Sequence, residues 1–441
     1  MMYLVQNEQA CACGKIHTCA LEKLIVGKGA LSSLPEEIVR MGCKKVFVLA
    51  DVHTYAAAGE PVIALLEHAG IAHATYVYGQ SPEPDEAAVG AAVMHFDASC
   101  DLVLAVGSGV IGDISKILAS ISGAEYAIVA TAPSMDGYAS ATSSMTRDGL
   151  KVSIPSKSAR VIIGDTDVLK NAPMEMLVSG LGDMLAQYIS IAEWRISHVI
   201  TGEYYCEIVA ESIRASLAKC VANAEGLLGR DEAAVEAVFE GLVMAGAAMR
   251  FAGTSRPASG VEHYFSHLWD MRGVELGEPV STHGIQCAVG TLYAARLYET
   301  MQRITPDREK GLAYAAAFDR EAWFAALRAF LGNGAEAMIK LEQTEQKYSI
   351  QKHAERLEVI LAHWEELTAI MAQEIPSAAF IEALLDRIGC PKSVSAWGLD
   401  PAILPMTLMA TKDIRDKYVL SRLAFDLGIL EDMAALCGRE E

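Results

Sequence analysis

Hydrophobic and polar positions change period once along this chain. From residue 44 to about 165, short apolar runs alternate with amphipathic stretches. KKVFVLAD, ATYVYG, DLVLAV, AEYAIVAT and ARVIIGD have strand length and strand composition. EPVIALLEHAG, with its proline near the start, and DEAAVGAAVMHF read as helices. Strands alternating with helices predict a parallel sheet covered on both faces. After Asp167 the strand pattern stops. From Pro173 to Leu430 nearly every segment has helical period, as in MLAQYISIAEWRI, EAVFEGLVMAGAAM and EAWFAALRAFL. The expectation is an α/β, Rossmann-like N-terminal domain over 1–168 followed by an all-α domain over 169–441. The charged run from about 305 to 370 predicts long helices, added as a layer or hairpin.

Two loops at predicted strand ends carry candidate chemistry. Gly107, Gly109 and Gly112 in GSGVIG follow a strand and precede a helix. Glycines let backbone approach a pyrophosphate, and a helix N-terminus offers N–H groups and a positive dipole end. The pattern suits a dinucleotide, although it follows the third strand of the unit rather than the first. The acid expected on the ribose lies upstream, at Asp51 closing VFVLAD. The other reading of the loop is a tight strand-to-helix turn. The next junction, TAPSMDGYAS, supplies the hydroxyls of Thr131, Ser134 and Ser140 and the carboxylate of Asp136. Ligands bind beyond the carboxyl ends of parallel strands, where both loops would sit.

Histidines gather in the helical half. GVEHYFSHLWD places His263 and His267 four residues apart, on one face of a helix. Ser259 followed by Glu262 predicts a capping box at its start. His283, in STHG, opens the next apolar stretch.

Composition narrows the partners. The 441 residues are 52% hydrophobic and 21% charged, as in a two-domain globular chain. No apolar stretch is long enough to suggest a membrane span, and Glu8 and Cys11 stand where an export signal would be apolar. A formal charge of −20 argues against nucleic acid and anionic membranes. Ten scattered cysteines suggest a reduced, cytoplasmic protein. The one cluster, Cys11, Cys13, His17 and Cys19 in CACGKIHTC, matches no standard zinc spacing; it reads as reduced thiols in a terminal strand or turn, with a structural metal as the other reading.

GSGVIGDISK, TAPSMDGYAS, SGLGDMLAQY, SRPASGVEHYFSH and STHG occur in this order in an α/β half followed by an all-α half. This combination resembles the dehydroquinate synthase-like, iron-type alcohol dehydrogenase superfamily, and within it the sn-glycerol-1-phosphate dehydrogenase branch. The likeness runs from VFVLAD to RDKYVLSRLAFDLGIL; GSG stands where relatives often have GGG, and shorter members lack the 305–370 segment. The resemblance implies that Asp183, His263 and His283 hold one divalent metal, such as zinc, nickel or iron. It implies that Asp136, Asp183 and His267 meet the substrate and serve catalysis. Asp51, Gly107, Ser108, Gly109, Val110, Ile111, Thr131, Ala132, Pro133, Ser134 and Ser140 would hold NAD(H), with NADP(H) as the alternative. The implied reaction is reversible reduction of dihydroxyacetone phosphate to sn-glycerol 1-phosphate, in a homo-oligomer. Phosphate needs a cation in this acidic chain. Arg256, just before the histidine helix, is the first candidate and Lys157 the second. The rival readings are a polyol dehydrogenase, a sugar-phosphate cyclase of the same superfamily, and a non-enzymatic NAD-binding protein.

Overall fold

The computed structural model describes residues 9–147 and 150–439. The stretch around Glu8 lies outside them. Six strands form one parallel sheet: β1 (Lys23–Gly27), β2 (Lys45–Asp51), β3 (Ala72–Tyr78), β4 (Leu102–Gly107), β5 (Glu125–Ala130) and β6 (Val161–Asp165). Their order is β1-β6-β5-β4-β2-β3. The unbroken apolar runs of β2 and β4 fit a sheet covered on both faces: β4 is buried at every position and β2 at all but its first. The chain steps from β2 outward to β3, then returns to the other side of β2 with β4. That reversal leaves the carboxyl ends of β2 and β4 flanking a crevice, the usual ligand position in such sheets. Asp51 and Gly107 end those two strands.

The helices that matter for the sites are α1 (Gly109–Ser122), α2 (Met174–Leu185), α3 (Gln187–Thr201), α4 (Glu232–Ala252), α5 (Val261–Leu276) and α6 (His283–Met301). The chain forms two compact units. One holds the sheet, everything through Met184, and Glu211–Ser255; the other holds Leu185–Ala210 and Arg256–Glu441. A boundary at 168/169 follows the last strand signal, but the helices do not divide there. α4 returns to the sheet unit, where Phe239 fills the space above Gly164 of β6; a Cβ on that glycine would lie 2.2 Å from the ring.

Two local features differ from the expectation. A two-stranded hairpin, Thr142–Arg147 with Leu150–Pro155, follows the second polar loop. The 305–370 segment is not long-helical. It breaks into five helices, Arg308–Ala317, Arg320–Leu331, Gly334–Glu345, Ile350–Ala362 and Trp364–Glu374. Asp307, Asp319 and Ser349 cap three of them, accepting from Lys310, Ala322 and Lys352 N–H groups. The core here is Trp323, Phe324, Leu327, Phe330 and Met338 against Leu268 of α5. Among the described residues no helix is long and apolar enough to cross a membrane.

Candidate functional site

In the sheet unit, two polar loops are laced together above β4 and β5. Gly107 is required by close approach, because a Cβ there would lie 2.6 Å from the Ile111 Cβ. Ser108 is the N-cap residue of α1 and makes no side-chain capping bond. Thr131 donates its N–H to Gly107 O at 3.1 Å, and Ser134 Oγ reaches Ser108 Oγ at 3.4 Å. Ala132 and Ile111 are core residues, whereas Val110 is exposed. Pro133 O sits where a Cβ on Gly180 of α2 would be, 1.8 Å away, so this glycine lets α2 approach the loop. Asp51, buried at the end of β2, accepts from His53 and Thr54 N–H groups, both at 2.8 Å. It therefore caps a short helix as well as facing the strand ends.

The Asp136 segment is held from three directions. Asp136 donates its N–H to Asp183 Oδ2 on α2 at 2.9 Å. α4 packs beneath it at Gly246, where a Cβ would lie 2.6 Å from Asp136 O. Lys116 of α1, nearly fully buried, donates to Gly137 O at 2.5 Å, Ser140 Oγ at 3.1 Å and Thr142 O at 3.2 Å, and pairs with Asp113 at 3.1 Å. Ser140 is itself buried and bonds Thr142 O at 2.9 Å, so its hydroxyl braces the loop. Lys116 was not singled out in the sequence; its position on a buried helix face was the available signal.

In the helical unit, α5 and α6 bring His263, His267 and His283 together. Ring centroids are 5.1 Å apart for His263 and His283, 6.0 Å for His267 and His283, and 6.3 Å for His263 and His267. One ligand atom each from His263, His283 and Cys287 lie within 4.8 Å of one another. The close crossing of α5 and α6 depends on Gly290, where a Cβ would stand 2.7 Å from Glu262 O. His263 donates from Nδ1 to Glu262 Oε1 at 2.9 Å, and His283 Nδ1 meets Ser266 Oγ at 3.0 Å. Both imidazoles are thus oriented through Nδ1, which leaves Nε2 as the nitrogen that could bind a metal. That is the usual outer support of a metal-binding histidine.

α5 starts one residue later than a Ser259 cap predicts. Gly260 is the N-cap, and Glu262 accepts its N–H at 2.6 Å while also holding His263. Behind it, Glu193 of α3 accepts from Val261 N–H at 2.9 Å, Leu420 N–H at 2.8 Å and Tyr298 Oη at 3.0 Å. Burial, followed by the neighbouring Glu262 charge, pushes the Glu193 carboxyl up to about 8. Cys287, Ser266 and Glu193 were missed in the sequence. The spacing of His283 and Cys287, one helical turn apart, could have shown the first of them.

The expected phosphate cations are engaged elsewhere. Arg256 is fully buried; it donates to Glu203 at 2.6, 2.9 and 3.0 Å, to Tyr418 O at 2.9 Å and to Ser197 Oγ at 3.0 Å. Lys157 donates to Ala124 O at 2.7 Å and lies 3.5 Å from Glu125. Neither arrangement favours a substrate phosphate.

The model of the iron-containing alcohol dehydrogenase family matches residues 25–173, and with the relatives named below it makes the chain an oxidoreductase of that class. The fold is that of a 1,3-propanediol oxidoreductase (15% identical, TM-score 0.62, covering 96% of this chain and 100% of the other) and of a probable glycerol dehydrogenase from Sinorhizobium meliloti (17% identical, TM-score 0.58, covering 94% and 98%). Sequence likeness is more specific. Glycerol-1-phosphate dehydrogenase [NAD(P)+] of Halalkalibacterium halodurans is 29% identical over 86% of each chain. That of Pyrococcus furiosus is 31% identical over 64% of this chain and 82% of its own. The chain belongs to the glycerol-1-phosphate dehydrogenase family.

Proposed function

We propose that this chain catalyses the reversible, NAD(P)H-dependent reduction of dihydroxyacetone phosphate to sn-glycerol 1-phosphate. The observation that carries the reading is the pair His263 and His283, both held through Nδ1, in a chain with this family membership. In this reading Asp183 joins them as a ligand, because two neutral imidazoles and one carboxylate suit a divalent ion and leave open positions for substrate. Such an ion would polarise the ketone and stabilise alkoxide charge, and the reduced nicotinamide would supply hydride.

The chain's own residues do the rest. Asp51 would accept from the ribose hydroxyls, and the N-terminus of α1, with Gly107, Ser108 and Gly109, would hold the pyrophosphate. Val110 and Ile111 continue that turn, and Thr131, Ala132, Pro133 and Ser134 would hold the nicotinamide half. Asp136 orients the substrate hydroxyls, and His267 passes a proton to the product oxygen. Lys417, which donates to Ser259 O at 2.8 Å just before α5, takes the phosphate role that Arg256 does not fit.

The test is NADH oxidation by purified protein with dihydroxyacetone phosphate or dihydroxyacetone, across zinc, nickel, iron and cobalt. A strong preference for the phosphorylated ketone is expected. Equal kcat/KM on both ketones would leave a polyol dehydrogenase. Lys417→Met should lower kcat/KM for the phosphorylated ketone by roughly tenfold to a hundredfold, the worth of one charge-assisted hydrogen bond, and hardly affect the other.

A further inference from the structure

The N-terminal thiols fold into a ligand set that the proposed reaction does not use. Gln9–Ala10 pairs with Ile16–His17 as a short antiparallel hairpin. Its turn is tight: Cys11 N–H donates to Lys15 O at 3.1 Å, Gly14 N–H donates to Cys11 O at 2.9 Å, and Gly14 has φ 83°. Only glycine adopts that left-handed conformation readily. The turn gathers Cys11 and Cys13 on the side of His17, and one ligand atom from each of the three lies within 4.8 Å of the others.

The histidine is prepared for a ligand. His17 is 5% exposed, and its Nδ1 lies 2.9 Å from Phe251 O. A carbonyl only accepts, so Nδ1 carries the proton and Nε2 carries the lone pair. Nε2 in turn lies 3.4 Å from Cys13 Sγ. A ring fixed through Nδ1 by a carbonyl, with Nε2 among thiols, is the arrangement that metal-ligating histidines show. Phe251 and Ala252 belong to the last turn of α4, whose carbonyls have no partners within the helix. Lys15 donates to Ala252 O at 3.3 Å, so the hairpin seats on that helix end through two side chains. Among the described residues no disulfide involves Cys11 or Cys13.

We propose that Cys11, Cys13 and His17 bind a zinc ion that clips the N-terminal hairpin to the C-terminus of α4. Two thiolates and one imidazole select zinc over the harder cations, and a fourth donor completes a tetrahedron. Binding releases the two thiol protons, so affinity rises with pH. The role is structural: α4 also carries Gly246, against which the Asp136 segment packs. The site is independent of the proposed reaction and of the histidines of α5 and α6.

Metal content and cobalt spectra of the full chain test this. With zinc alone as the probe, wild type should hold two ions per chain, and His283→Ala one. The remaining ion in His283→Ala, exchanged for cobalt, should show thiolate-to-cobalt charge transfer, and adding Cys13→Ser should abolish both ion and band. A His283→Ala protein that binds no zinc, or binds cobalt without a thiolate band, overturns the proposal. A second measurement uses unaltered protein, in case the serine variant fails to fold. Zinc should protect Cys11 and Cys13 from alkylation, followed by peptide mass spectrometry, and a chelator should remove the protection. Equal labelling with and without zinc, or a Cys11–Cys13 disulfide persisting in reducing buffer, also overturns it.

Discussion

The backbone N–H of Asp136 donates to the carboxylate of Asp183 across 2.9 Å. With the bond from Ser179 Oγ to Ser134 O at 3.1 Å, it ties the loop after β5 to α2, joining two segments that the sequence offers separately. A carboxylate that accepts an N–H keeps one oxygen oriented and its charge in place. Asp183→Asn should keep the fold and the loop, because an amide oxygen still accepts, but lose the charge proposed for the metal. Metal occupancy and turnover should both fall steeply with little change in Tm. Asp183→Ala should also lose the loop bond, worth about 1.5–3 kcal/mol, and so melt lower than Asp183→Asn. Normal metal content and full activity in Asp183→Asn would remove it from the ligand set.

Gly246 and Gly180 hold the same loop at fixed height. A methyl on Gly246 would press on Asp136 O, and one on Gly180 on Pro133 O, both backbone atoms that cannot rotate away. Each glycine-to-alanine change should cost roughly 1–3 kcal/mol by overpacking. Thermal melting checks the cost. Gly180→Ala should also raise KM for the nicotinamide, since Pro133 is on the proposed cofactor wall.

How much of this was legible follows from which forces act locally. The Val- and Leu-rich runs of β2 and β4 are buried on both faces and declare themselves. The unit boundary does not, because the return of α4 to the sheet is decided by Phe239 filling the space above Gly164, a contact made across the chain. The hairpin after Ser140 has polar alternating strands, TSSMTR and LKVSIP, which look like loop; an Asp-Gly pair between them was the overlooked signal. Spacing put His263 and His267 on one helix face but left a plain surface open, and only the family resemblance grouped them with His283; the structure brings the three rings together. The pairing of Arg256 with Glu203 was not legible, because Glu203 lies 53 residues upstream and nothing local reveals it. Glu262 was half right, reaching back to an N-cap N–H but at Gly260 and with His263 as a second partner.

Glu262→Gln tests that second partner. The amide can still meet His263, but the charge that strengthens the imidazole as a ligand is gone. Removing such outer support typically costs about 10–100-fold in metal affinity. Titration of metal-free protein with zinc should show this loss at the histidine site, while the thiol site near His17 keeps its affinity. Unchanged affinity at both sites would reduce Glu262 to a helix cap.

Asp51 caps a turn and is proposed to meet the ribose, and a serine separates the two roles. Its carboxylate caps the turn after β2 by accepting from His53 and Thr54. Serine is a comparable N-cap but carries no charge. The carboxylate should repel a 2′-phosphate and favour NADH. Asp51→Ser should therefore keep its stability within about 0.5–1 kcal/mol of wild type while the ratio of kcat/KM for NADPH to that for NADH rises. An unchanged ratio would take Asp51 away from the ribose.

Acid should loosen the helical unit through His353. This histidine is 1% exposed on the helix Ile350–Ala362, and Nε2 donates to Asp426 O at 3.1 Å. Its Nδ1 has no hydrogen-bond partner among the described residues. Burial is the largest influence and lowers its pKa from 6.5, with Asp426 opposing and Arg356 and Arg422 adding to the shift. A histidine whose folded pKa is depressed binds its proton more readily in the unfolded chain. Stability is then full above pH 6.5 and is lost as pH falls from 6.5 toward the folded value. One proton is at stake, so the slope is at most about 1.4 kcal/mol per pH unit in that window. His353→Gln can still donate to Asp426 O but cannot titrate. Melting curves between pH about 7.5 and 5 should show a smaller acid loss in this variant than in wild type. Identical pH slopes would mean that His353 takes up its proton in the folded chain as easily as in the unfolded one.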